Sequence, residues 1–226
     1  GVLLVLLKIL SLPVNQSIWG LLIVLFIAMV VVSQFMLTFG SDPNAKVTKK
    51  SKSPLSFHPI ALIFGLLSFV SYLVEGAVGD WSALYLFEDK GIVIEEAVMG
   101  VMLFNGTMCI GRLLGNRLGK HLTSKQVVVG GYLLGSIAMG LIVFLPGHAS
   151  MYTYLLLGIS LAMIVPNLFS AMGEQNVIPM TQAVATSTML GYMGILMGPA
   201  LIGFIAHGTS LTVAFIVLTT LLVVSA

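Results

Sequence analysis

All but two of the chain's ten Lys and Arg residues stand in two short connections between long apolar runs. Lys46, Lys49, Lys50 and Lys52 fill the first, and Arg112, Arg117, Lys120 and Lys125 surround the second. The connection between them is acidic, with Asp80, Glu88, Asp89, Glu95 and Glu96 against a single Lys90. A polypeptide that crosses a bilayer repeatedly leaves its basic residues in the cytoplasmic loops. The alternation therefore identifies both the solvent, lipid, and the orientation. In lipid every backbone polar group needs an internal partner, and apolar runs of about 20 residues meet that need as helices.

Composition agrees. The 226 residues are 58% hydrophobic and 8% charged, with a mean hydropathy of +1.09, whereas soluble domains carry roughly 25% charged residues. Apolar runs predict an all-α polytopic membrane protein with six full spans, near 18–38, 58–86, 96–115, 126–145, 151–171 and 184–206. Two partial spans flank them at 1–12 and 211–226, so the chain reads as a fragment of a larger membrane protein. With the Lys-rich connection in the cytoplasm, loops near 116–125 and 172–183 face inward, and those near 87–95 and 146–150 face outward. Trp19, Trp81, Tyr85, Tyr152 and Tyr154 fall at outer span ends, where amphipathic rings favour the headgroup layer. Three regions follow: residues 1–38 end one helical bundle, 39–57 form a cytoplasmic linker, and 58–226 form a six-helix bundle whose last helix is cut short.

Polar side chains concentrate in four spans, while those at 18–38, 126–145 and 211–226 are nearly pure aliphatic, Gly and Ala. Unpartnered polar groups are costly in lipid, which predicts that the four polar spans share a wet interior and the others face lipid. Glu75 is the sharpest of these residues, since a carboxylate at that depth costs a few kcal/mol on insertion scales. Ser68, Ser71, Tyr72, Glu75 and Gly79 share one helical face, from which Ser71 and Tyr72 can donate to the carboxylate. The same Glu75 is a candidate proton carrier, or a tie between helices. Asn105 and Asn167 offer donors and an acceptor to a hydroxylated solute, and Tyr192 a ring face for a sugar; helix–helix hydrogen bonding and packing are the plainer roles for them. Gly111 and Gly115, Gly131 and Gly135, and Gly194 and Gly198 recur at the spacing that lets helices approach closely. Pro166 and Pro199 interrupt the backbone ladder inside spans.

Other chemistries find no support. Basic residues lie beside spans and build no nucleic-acid face. The one cysteine, Cys109, excludes an intrachain disulfide. The four His residues lack metal-ligand spacing, so no metal or cofactor is expected. No nucleophile elbow, HExxH or phosphate loop appears, and an enzyme is not expected.

The run Gly111-Arg112-Leu113-Leu114-Gly115-Asn116-Arg117-Leu118-Gly119-Lys120-His121 resembles the loop signature between the second and third helices of each half in major facilitator superfamily transporters. The family usually has Asp where Asn116 stands, so the resemblance implies a cytoplasmic gate with Arg112, Arg117 and Lys120 but without that acid. Glu75 through Leu86 resembles the end of the seventh helix in a fucose-permease-like bacterial branch, and Val165 through Ser170 is similar to its tenth. Gly191-Tyr192-Met193-Gly194 with Gly198-Pro199 is similar to its eleventh. The resemblance implies helices five to twelve of a major-facilitator-type bundle in a bacterial inner membrane, partnered by the rest of an N-terminal bundle. It implies rocker-switch alternating access between two bundles, but not the identity of the solute. Glu75, deep in its span, and the Tyr192 ring add the expectation of proton-coupled uptake of a small polar, sugar-like solute. The rival readings are proton-coupled efflux of an amphipathic compound over a Met-rich lining, and a sensor or scaffold that keeps the fold without transport.

Overall fold

The computed structural model describes residues 14–38, 55, 57–118 and 122–226, which form helices joined by short connections. They fall into two compact units, Gly1–Lys52 and Ser53–Ala226. In the first, helix α1 (Val14–Thr38) covers the apolar run at 18–38; the partial span at 1–12 and most of the connection 39–57 lie outside the described residues. The second holds α2 (Pro59–Glu88), α3 (Ile94–Leu118), α4 (Ser124–Phe144), α5 (Gly147–Ala162), α6 (Ile164–Glu174), α7 (Met180–Gly208) and α8 (Leu211–Val224). Five stretches of this unit are long and apolar enough to cross a bilayer, with α5 and α6 together making one of them.

Local chemistry sets the helix ends. Pro59 opens α2 where its missing N–H costs nothing, and His58 caps it by accepting from the Ile60 amide. Thr123 and Gln126 form a reciprocal capping box on α4. Ser210 caps α8 through the Val213 amide. Gly91, at φ 68°, turns the chain between α2 and α3 in a conformation that side chains resist. Glu95 and Glu96 lie in the first turn of α3, where acids complement the helix dipole.

Glycine decides which helices touch. The α2–α7 pair is the most extensive contact in the unit. A Cβ at Gly194 or Gly198 would collide with the backbone carbonyls of Phe69 or Leu73, so α7 lies with its backbone against that of α2. Gly76 returns the approach from α2: a Cβ there would sit 2.7 Å from the Ile195 carbonyl, the one that Pro199 cannot serve as a helical donor. Gly111 meets Ala162 and Gly115 meets Met163, joining α3 to the α5–α6 span. Gly131 and Gly135 receive Ile164 and Ser160 on α4. Each expected pair thus stands at a helix crossing.

The α5–α6 span is interrupted at Met163, three residues before Pro166. Proline removes the donor that would close on the Ala162 carbonyl and its ring crowds that turn. Beside the break, Asn167 donates both its backbone N–H, at 3.4 Å, and its side-chain amide, at 2.8 Å, to the Met163 carbonyl.

Two of the expected headgroup aromatics are core residues instead. Tyr85 and Tyr154 are fully buried, and Tyr85 stacks on Phe215 with ring centroids 4.2 Å apart. Position near a span end does not fix facing: Tyr152 is exposed, and Tyr154, about 200° further round the helix, points into the bundle. Lys90 closes this end of the bundle, donating to the Val143 carbonyl at 2.6 Å and lying 5.3 Å from the centre of the Tyr85 ring. Burial holds its ammonium below the ordinary lysine value, and neighbouring Asp89 opposes that shift. On α4 the open face is Leu133, Ile137, Leu141 and Phe144, a surface suited to lipid.

Candidate functional site

The polar face of α2 divides in two. Ser68 and Ser71 are buried, and the Ser68 hydroxyl lies 2.6 Å from that of Ser187 on α7, which also donates to the Phe64 carbonyl. The Ser68–Ser187 contact fastens α2 to α7. Tyr72 and Glu75, further round the same helix, are only partly covered.

The Glu75 carboxylate receives its hydrogen bonds from Arg112 on α3. Nη2 donates to Oε1 at 3.3 Å and to Oε2 at 3.1 Å. The expected donors were Ser71 and Tyr72, but Ser71 is buried within the bundle and the carboxylate is held by Arg112. The Glu75 side chain is 21% exposed and that of Arg112 46%. Arg112 sits about 9 Å inside the end of α3, and its long side chain brings the charge to Glu75. The residue expected in the cytoplasmic gate and the residue expected in the transport site are one ion pair.

Tyr192, on α7, extends the row. Its ring stacks on Tyr72 at 6.2 Å with planes 8° apart, and the residue is 62% exposed. Gly191 makes room for this arrangement, because a Cβ there would strike the Tyr72 ring. Tyr192, Tyr72, Glu75 and Arg112 therefore form a continuous aromatic-to-charged strip across α7, α2 and α3.

A cavity of about 410 Å³ adjoins the strip at Arg112, with Asn167, Ser170, Glu174 and Ser124 among its lining. Ser124 donates to Glu174 at 2.8 Å, and Ser170 to the Pro166 carbonyl at 3.2 Å. Sequence reasoning passed over Ser124 and Glu174 and named Ser170 only within the tenth-helix resemblance; the one other signal was an acid in a connection expected to face the cytoplasm. Asn105 is exposed on α3, two turns from Arg112, with its amide turned back to the Val101 carbonyl at 3.0 Å. Gly111 and Gly115 serve as packing positions. Asn116 and Arg117 belong to the last turn of α3; their side chains, and Lys120 altogether, lie outside the described residues. Among the described residues no cluster of His, Cys, Asp or Glu could hold a metal ion.

Bilayer-length helices and a charged pair set at membrane depth define an all-α, multi-pass integral membrane protein. No family model matches the chain. It is 42% identical over 157 residues to an uncharacterized MFS-type transporter of Yersinia pestis, a match covering 68% of this chain and 40% of that protein. Membrane protein MosC of Rhizobium meliloti is 31% identical over 151 residues, 66% of this chain and 37% of that one. An uncharacterized transporter, y4wD of Sinorhizobium fredii, is 28% identical over 159 residues, covering 69% and 41%. The chain belongs to the major facilitator superfamily. It spans about two fifths of the length of the curated relatives it matches.

Proposed function

We propose that the chain is part of a secondary active transporter that moves a small polar solute by alternating access between two helical bundles. In this reading α2–α8 supply one bundle, residues 39–57 the linker, and residues 1–38 the end of the other bundle, whose remainder is the protein's essential partner. The names of the relatives support transport in general terms. The observation that carries the reading is the Glu75–Arg112 pair, set within bilayer-length helices and only partly covered by the bundle. Ionised groups at such depth are costly and characteristically serve substrate or ion pathways. The open Tyr192 ring beside it suits a sugar-like ring, whose apolar face stacks on an aromatic.

Protons are the proposed coupling ion. Protonation of Glu75 would dissolve the ion pair and free Arg112, giving two states of the strip that differ by one proton. Helical spans with a positive-inside bias favour a bacterial inner membrane, because outer-membrane spans are barrels. The test is uptake of monosaccharides and polyols into proteoliposomes carrying the full-length protein under an imposed pH gradient. Glu75→Gln should abolish proton-driven accumulation and leave solute exchange in place. Accumulation that still follows the pH gradient in this variant would remove Glu75 from the coupling.

A further inference from the structure

The Glu75–Arg112 pair is asymmetric. Both bonds leave from one guanidinium nitrogen, Nη2, whereas both carboxylate oxygens are engaged. A guanidinium carries five N–H donors, so most of the donor capacity of Arg112 is not spent on Glu75. Arg112 is also the more open partner, and it alone of the two lines the adjoining cavity. A ligand that competes with Glu75 for Arg112 is therefore better served than one that competes with Arg112 for Glu75.

We infer that the solute carries a single carboxylate that docks on Arg112 and displaces Glu75, with its ring laid along Tyr72 and Tyr192. The inference rests on the transport reading and narrows its solute from a neutral sugar to a small organic acid such as a uronate. Arg–carboxylate pairing is strong and directional. Glu174, which also lines the cavity and is held by Ser124, would repel a second acid group, which favours a monocarboxylate. The charged and titratable groups around Glu75 are Arg112 from α3, Tyr72 from its own helix and Tyr192 from α7. Among the described residues only Arg112 is a cation here, so its loss to the solute leaves the Glu75 charge uncompensated. Glu75 then takes a proton from the aqueous side, and the anion and proton cross together with no net charge.

The test measures binding to the full-length protein in detergent, comparing D-glucuronate and benzoate with D-glucose and inorganic phosphate. The carboxylates should bind and glucose should not. Wild-type affinity for them should strengthen as pH is lowered. Glu75→Gln should bind carboxylates up to about fivefold tighter at neutral pH, the competition removed being that of an exposed ion pair, and should lose the pH dependence. Arg112→Gln should abolish carboxylate binding in both the wild-type and Glu75→Gln backgrounds; the second background keeps the test valid if the lone acid destabilises the first. Binding and uptake of glucose without any carboxylate effect would overturn the anion assignment and leave transport standing. Binding of phosphate alone, or of no carboxylate to either protein, would also overturn it. Carboxylate binding that depends on Arg112, with no proton-driven uptake of any solute, would instead support the site and refute the transport reading.

Discussion

Replacing Gly194 with Ala tests whether the α2–α7 pair is held by backbone contact. Alanine improves helix propensity over glycine by about 1 kcal/mol, so on local grounds the variant gains. The added Cβ, however, would collide with the Phe69 carbonyl, a backbone atom of a packed helix that has no rotamer through which to move away. Overpacking of this kind typically costs about 1–3 kcal/mol, and a rigid obstacle belongs toward the upper end. The net expectation is a loss of about 1–2 kcal/mol after the propensity gain. Gly130→Ala on α4 supplies the control, because a Cβ there meets nothing within 4 Å and the propensity gain stands alone. Thermal or denaturant unfolding of the full-length protein in detergent would compare the two. Equal stability of the variants, or a more stable Gly194→Ala, would refute backbone contact as the basis of this crossing. The Ala variant should also loosen the Tyr72–Tyr192 stack, since both rings depend on the separation of α2 and α7.

Other expectations follow from the same contacts. Ser187→Ala removes the partner of Ser68 and should cost about 0.6 kcal/mol, with about 1.7 as the ceiling for intramembrane hydrogen bonds; the double variant with Ser68→Ala should cost less than the sum of the two. Pro166→Ala restores a donor to the Ala162 carbonyl, so α5 and α6 should become one straight helix. Spin labels at Leu155 and Gly173 would then move apart toward about 27 Å, the rise of a continuous helix, and an unchanged distance would show that the break has another cause. For Lys90 the folded-state pKa lies below the ordinary 10.5, so the folded protein binds fewer protons than the unfolded chain in the window just beneath that value. Stability should rise with pH across the window, and Lys90→Met should flatten the rise in unfolding measured at successive alkaline pH values.

Much of the fold could be read from the chain because lipid imposes a strong rule: every span must be long, apolar and internally bonded. The span positions, the glycine crossings and the break near Pro166 all follow from that rule and from the missing proline donor. Facing was harder. Tyr85 and Tyr154 satisfy the statistics of an interfacial belt yet point into the bundle, because a two-residue shift reverses a helical side chain. Of the candidate site, the geometry could be only half foreseen. Glu75, Tyr72 and Tyr192 stood out as polar or aromatic groups at depth, but their link to Arg112 did not, since a loop signature assigns Arg112 to the gate. An arginine near a helix end can extend toward the interface or along the bundle, and only the position of Glu75 on the facing helix decides between them. Ser71 was misread for the converse reason. It shares a face with Glu75, but one turn along the helix that face passes from partly covered to buried.

Where α2 and α7 meet, main chain rests on main chain, and such a seam has no slack for side chains to absorb. Beside the charged strip, α3 reaches α2 through the tips of two long side chains. The two helices at the seam must travel as a single strut, and under the proposed mechanism the play beside them falls to a latch that one proton or one competing anion would undo.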